Sequence, residues 1–286
     1  MERNKPFKSS GAGLIYLVGT PIGNISDVSE RGKKILAEAD IVACEDTRNT
    51  GLLLSRLGIK PKKLVSCYAQ KELERSKQLV AQVKQENLVL AYVSDAGMPG
   101  ISDPGALLVQ QAIFNEVPIS SIPGPSALIQ ALVMSGFNTA DFTFYGFLPS
   151  KSNLRKRMLE KIVDKTETII FYEAPHRIMN VLKDMRDVLG PDRRVCLCRE
   201  ITKIFEEYIR GNLAELAELD PSTLKGEFVI VVEGKETEEN TDNKEIIGCA
   251  KKLIQAGYRN SEVAKILSLE YDLPKNKLYK LINELD

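Results

Sequence analysis

The chain has no surplus of charge: Lys and Arg number 39, and Asp and Glu also number 39. Bulk attraction to nucleic acid is therefore absent, and any contact with a phosphate backbone has to come from local basic patches. Histidine is nearly missing, with His176 alone among 286 residues. One imidazole and scattered cysteines supply no transition-metal ligand set, so no metal site is expected. A Ser-His-Asp hydrolase is also poorly supported, because no G-x-S-x-G turn occurs. Cys44, Cys67, Cys196, Cys198 and Cys249 are odd in number and form no C-x-x-C pair, which argues against a disulfide framework and a zinc knuckle. No G-x-G-x-x-G follows the first apolar run and no Walker A sequence exists, which disfavours dinucleotide-binding and P-loop folds. No apolar run is long enough to span a membrane. Residues 1–10 lack the apolar stretch of a signal peptide, so 1–13 read as a polar, mobile arm and the expected compartment is the cytosol.

Apolar residues at 43% and charged residues at 27% fit a globular chain of one large domain or two modest ones. Between residues 14 and 140 one pattern repeats: a short apolar run, a turn rich in Gly, Pro or Asp, then an amphipathic segment. Strands are expected at 14–19, 41–44, 64–67, 88–93 and 118–122. Helices are expected over 27–39, in the stretch that follows Arg48 and runs to Leu57, over 74–85 and 104–115, and from the 123–127 turn to 135. This alternation predicts a largely parallel α/β sheet covered on both faces. After a boundary near Asp141 the pattern changes to strands at 142–147, 168–172, 195–199, 205–210 and 228–232, with helices only over 151–164 and 178–189. The closely spaced runs 195–199 and 205–210 suggest an antiparallel pair. Cys196 and Cys198 alternate within one of them and read as packing residues on one face. Residues 235–244 lack apolar content and read as a flexible linker. The segment 245–286 reads as three short helices, with Ser261 capping the second and Pro274 opening the third. Its Arg259, Lys265, Lys275, Lys277 and Lys280 suit either RNA contact or a helical appendage packed on protein.

Ligands of an open parallel sheet sit beyond the carboxyl ends of its strands. Three loops there, 20–24, 94–105 and 123–127, are rich in Gly, Pro and small residues. Such residues let a ligand approach the backbone, and the helices that follow offer free N–H donors. Three of them together argue for one shared cleft. His176, just past a strand end, is as suited to capping the next helix as to chemistry.

The ordered motifs are Val18-Gly19-Thr20-Pro21-Ile22-Gly23-Asn24, Glu45-Asp46-Thr47-Arg48, Ser94-Asp95-Ala96-Gly97-Met98-Pro99 with Ser102-Asp103-Pro104-Gly105, Pro123-Gly124-Pro125-Ser126-Ala127 and Gly146-Phe147-Leu148-Pro149. Phe171-Tyr172-Glu173 with His176-Arg177, Arg199-Glu200-Ile201-Thr202-Lys203 and Gly226-Glu227 follow. Together, over about residues 14–234, they resemble the tetrapyrrole methylase superfamily, and within it the branch that methylates ribosomal RNA. The resemblance implies a two-lobed α/β fold (a class III methyltransferase) with lobes at 14–140 and 141–234 and a small C-terminal helical extension. It implies S-adenosyl-L-methionine as cofactor, bound between the lobes, and a homodimer. The implied partner is 16S rRNA in the small ribosomal subunit, 2′-O-methylated at decoding-region cytidine 1402. Carried over by position, the cofactor contacts are Pro21, Asp95, Ala96, Gly97, Met98, Ser126 and Ala127, with Tyr172, Ile201 and Glu227 from the second lobe. One departure stands out: the stretch Cys67-Tyr68-Ala69-Gln70-Lys71-Glu72 lacks the histidines usual there.

Methylation of a ribose hydroxyl needs a proton acceptor and an anchor for the nucleotide. Asp46 as base or positioner and Arg48 as phosphate or ribose anchor suit these roles, although a structural ion pair or helix cap suits the same residues. Lys151, Arg155, Lys156 and Arg157 form a basic cluster at a helix start that can meet phosphates or face solvent. Two other readings stay open, a C-methyltransferase acting on a precorrin-like tetrapyrrole and a non-catalytic RNA-binding factor of ribosome assembly.

Overall fold

In a computed structural model the described residues are 13–235, 238–271 and 273–283, with backbone alone for 238–243 and 277. The first sheet consists of β1 (Leu14–Val18), β2 (Ile41–Cys44), β3 (Leu64–Ser66), β4 (Val89–Val93) and β5 (Ile119–Ile122), all parallel, in the order β3-β2-β4-β1-β5. Parallel neighbours need crossovers. Four helices provide them: α1 (Glu30–Glu38), α2 (Thr47–Arg56), α3 (Glu72–Glu86) and α4 (Ala106–Phe114).

Alternation along each strand sends successive side chains to opposite faces. Ile15, Leu17, Leu90 and Tyr92 pack with Leu79, Val83 and Leu108 of α3 and α4. Val18, Val42, Val93 and Ile122 pack with Leu36 and Leu54 of α1 and α2. The expected double-faced parallel sheet is thus present. The helix expected from residue 27 begins at Glu30, because the Ser29 hydroxyl accepts the Gly32 N–H at 3.1 Å and caps it there. The mobile arm expected at 1–13 lies outside the described residues except for Gly13, which is buried against Val83.

The second sheet is mixed: β6 (Phe142–Phe147), β7 (Thr168–Glu173), β8 (Arg194–Arg199), β9 (Glu207–Asn212) and β10 (Phe228–Val232), ordered β6-β7-β10-β8-β9. β6 and β7 run parallel and the other pairs antiparallel, including the expected β8–β9 pair. Beside it lie α6 (Ser152–Glu160), which ends four residues short of the expected helix, α7 (Ile178–Leu189) and the short α8 (Leu213–Leu216).

A boundary at Asp141 misassigns α5 (Ala127–Ser135). Its Leu128, Ala131 and Leu132 are buried against Ile170, Cys196, Cys198 and Val231 of the second sheet. The helix presents its apolar stripe to the nearest uncovered strands, which are not those that precede it in sequence. Both sheets fall within one compact unit, residues 13–161 and 168–233.

The second unit includes α9 (Glu238–Gln255), α10 (Asn260–Glu270) and α11 (Lys275–Asn283), with Ile246, Ala250, Val263, Leu267, Leu278 and Ile282 as its core. The flexible linker expected at 235–244 is corrected here, because α9 already starts at Glu238. Lack of apolar content rules out a core face but not a helix, and Glu and Lys are good helix formers. Ser261 does not cap α10. The helix starts one residue earlier, and the Glu262 carboxylate accepts the Arg259 N–H at 3.0 Å. Arg259, Lys265, Lys275 and Lys280 are exposed, and the Lys277 side chain lies outside the described residues. No helix of the described residues is long and apolar enough to cross a membrane.

Candidate active site

β4, β1 and β5 are adjacent and parallel, so the loops leaving their carboxyl ends lie side by side. The first and second are stitched together by a small antiparallel bridge. Thr20 N–H donates to Gly97 O at 2.9 Å and Gly97 N–H to Thr20 O at 3.1 Å. The buried Thr20 hydroxyl donates to Ser94 O at 3.2 Å. The loops after β1 and β5 touch backbone to backbone, since a Cβ built on Gly124 would stand 2.6 Å from the Gly19 Cα. Only glycine at both positions allows that approach.

Beyond these loops lies a cavity of about 420 Å³, within the range of roughly 300–1,000 Å³ usual for small-molecule sites. Ala96, Gly97, Met98, Ser126 and Ala127 line it from the first set of loops. Tyr172, Ile201, Glu227 and Val229 close it from the second sheet. The two sides are tied at Asn24, whose N–H donates to the Thr202 hydroxyl at 3.2 Å. On the second side, Lys203 Nζ bonds Glu200 at 2.8 Å and Glu227 at 2.6 Å. Tyr172 is held in an edge-to-face contact with Phe144, with centroids 4.8 Å apart. A largely apolar enclosure with backbone brought close by small residues fits a cofactor that has both planar and aliphatic parts.

The family model described as Tetrapyrrole (Corrin/Porphyrin) Methylases matches residues 14–217. The chain belongs to this family. It is an enzyme, a methyltransferase. Among curated relatives it is similar to Ribosomal RNA small subunit methyltransferase I of Streptococcus pyogenes serotype M3, 40% identical over the whole of both chains. The protein of the same name from Haemophilus influenzae is 42% identical over 94% of this chain and 95% of its own. That of Halalkalibacterium halodurans is 40% identical over 95% of each. Solved structures share the fold at low identity. The methyltransferase CobJ has a TM-score of 0.59 at 18% identity, covering 79% of this chain and 97% of its own. A uroporphyrin-III-C-methyltransferase from Thermus thermophilus has a TM-score of 0.52 at 18% identity, covering 77% and 94%.

In this tetrapyrrole methylase, Ala96, Gly97, Met98, Ser126, Ala127, Tyr172, Ile201 and Glu227 all line the one cavity. Pro21 and Asp95 are not among its lining residues. Asp95 turns to the opposite side of its loop, into an open polar hollow with Glu45, Asp46, Arg48 and Tyr68. There its carboxylate accepts from Asn49 Nδ2 at 2.7 Å and from the Asp46 N–H at 3.3 Å.

Asp46 caps α2 by accepting the Arg48 N–H at 2.8 Å and pairs with the Arg48 guanidinium at 2.6 Å. Those bonds hold its pKa down, at about 2. A carboxylate so firmly ionised is a poor proton acceptor, so the structure weighs against Asp46 as base, while Arg48, 89% exposed, presents its paired guanidinium to solvent.

The basic cluster is corrected in two of its four members. Arg155 is 4% exposed, with Nε bonded to Asp184 at 2.7 Å, and Lys156 pairs with Asp184 and Asp187. Lys151 and Arg157 alone stand exposed.

Two carboxyls that sequence reasoning did not single out have the opposite environment from Asp46. Asp103 lines the cavity, and burial followed by the charge of Asp95 pushes its pKa up. Glu45 is raised by burial and then by the charges of Asp103, Asp95 and Asp46. The Ser102-Asp103-Pro104-Gly105 motif was visible in the sequence, but its desolvation was not. Glu72, in the stretch that lacks histidine, accepts the Gly105 N–H at 2.7 Å and the Leu107 N–H at 3.0 Å, anchoring the end of the 94–105 loop to α4. Its length and charge suit the helix start it caps.

Proposed function

We propose that this methyltransferase uses S-adenosyl-L-methionine to methylate 16S rRNA of the small ribosomal subunit in the cytosol, at the 2′ hydroxyl of decoding-region cytidine 1402. The observation that carries the reading is identity of 40% over the whole chain, terminal helices included, to proteins named for that RNA. The two solved structures, in contrast, reach only 77–79% of the chain at 18% identity.

S-adenosylmethionine, when bound, supplies an electrophilic methyl group on a sulfonium sulfur. Tyr172, Ile201 and Val229 offer it apolar walls, and the Gly97 and Ala127 neighbourhoods offer backbone. Asp103 accepts the proton of the attacking hydroxyl. It lines the cavity and its raised pKa lies nearer neutrality than that of Asp46, which suits a base. Arg48, Lys151 and Arg157 meet phosphates outside the cavity. A homodimer accompanies this reading, supported by the exposed apolar side chains Ile129, Val133 and Met134 along α5.

The test is methyl transfer from labelled S-adenosylmethionine to small subunits that lack ribose methylation, followed by mapping. One 2′-O-methylated cytidine in the decoding region is the expected outcome. Failure to label subunits or free rRNA, with methylation of a tetrapyrrole instead, would sink it.

A further inference from the structure

The Gly146-Phe147-Leu148-Pro149 run has a geometry that the methyl-transfer site alone does not use. Gly146 has φ of +66°, and the register between β6 and β7 slips between Phe144 and Phe147. An irregularity of this kind re-aims a side chain at a strand end. Phe147 is sent to the rim of the cavity, which it lines while remaining 55% exposed. One edge meets Tyr172, with ring centroids 5.8 Å apart at 65°. Ile101, from the loop on the other side, also lines the cavity and is 49% exposed. The two rims approach here, since a Cβ on Gly146 would lie 3.9 Å from the Ser102 hydroxyl.

The segment behind Phe147 is fixed from two sides. Arg177 donates to Leu148 O at 2.6 Å and is paired in turn with the buried Glu173. The buried Arg155 donates to Pro149 O and Ser150 O, each at 3.1 Å. The aromatic ring therefore stands on a rigid mount, the arrangement that holds a ligand with little ordering cost. No Lys or Arg is among the residues lining the cavity, so a nucleotide entering there gains nothing from cationic contact within it.

Single-stranded or extruded RNA bases are held chiefly by stacking on aromatic side chains, and enzymes that modify a nucleotide take it out of the helix stack. We propose that Phe147, with Ile101 facing it across the rim, is the platform on which the base of the acceptor nucleotide stacks while its ribose enters the cavity. This rests on RNA being the substrate. Phe147 acts as a positioning residue, distinct from the residue that takes the proton.

The experiment compares the full chain with Phe147→Ala, Phe147→Leu and Phe147→Tyr. Labelled methyl transfer to unmethylated small subunits is read as kcat and KM, and S-adenosylmethionine affinity is read by calorimetry. Phe147→Ala is expected to lower kcat/KM for subunits on the order of 10- to 100-fold, the span of one lost base stack. Phe147→Tyr restores it, Phe147→Leu does not, and cofactor affinity falls far less than activity throughout. Full activity of Phe147→Leu, or cofactor affinity falling in step with activity, would overturn the platform. Absence of transfer by the unsubstituted enzyme would overturn the RNA reading and the platform with it.

Discussion

Two hollows share the 94–105 loop, and they treat carboxyl groups in opposite ways. On the polar side Asp46 is paired with Arg48 at 2.6 Å and is held ionised, at about 2. On the apolar side Asp103 is half-buried in the cavity wall, where burial and the nearby Asp95 push its pKa up. The side chains are chemically identical, and solvent and neighbours set the difference. A carboxylate locked by a guanidinium orients and anchors, whereas a desolvated one can trade protons.

The comparison breaks most sharply at Asp103. Asp103→Asn is expected to reduce kcat by about 10²- to 10⁴-fold, the usual contribution of a positioned base, while calorimetry finds cofactor binding retained. The pH profile gives the sign independently. The base must be ionised, so activity falls as pH drops through the raised pKa of Asp103, and that acid limb disappears from the residual rate of Asp103→Asn. If Asp46 were the acceptor, the limb would lie near its low pKa instead. Next in size is Gly124→Ala, whose added Cβ would sit 2.6 Å from the Gly19 Cα. Overpacking of this kind costs about 1–3 kcal/mol, so thermal unfolding should show a lower Tm and calorimetry a weaker cofactor. Glu72→Ala leaves two N–H groups of the shared loop and α4 without their acceptor. The loss is about 1–3 kcal/mol, visible as a fall in Tm. The smallest effect belongs to Asp46→Asn, which should slow turnover modestly and leave the acid limb in place. A loss as large as that of Asp103→Asn would reverse the assignment of roles.

The strands of the first sheet and the three loops beyond them were legible because period and punctuation are local signals. Gly19 and Gly124 mark a close approach that no other residue permits, and Gly97 has φ of +81°. What escaped depends on partners distant in sequence. Arg155 looked like part of a solvated basic face, yet Asp184 draws it inward from 29 residues away. Asp95 and Ala96 are neighbours in one motif, but they look into different hollows. α5 follows the first sheet in the chain and covers the second. The exposure of Phe147 comes from a register slip that leaves no mark in composition.

The position of β10 has a consequence for how the chain acquires its site. β10 is the last strand of its unit in sequence, yet it lies in the interior of its sheet, between β7 and β8. Synthesis runs from the amino terminus, so β7 and β8 emerge with a gap between them that is filled only when residues 228–232 arrive. Glu227, Phe228 and Val229 belong to the cavity wall. A nascent chain ending before them has no finished binding site however well its first sheet has folded. Closing that gap pairs residues about 55 positions apart, such as Phe228 with Glu173, and long-range pairing of this sort is slow. Cofactor capture is therefore timed to the end of folding, and protection of the β10 amides in pulse-labelled hydrogen exchange should appear together with it.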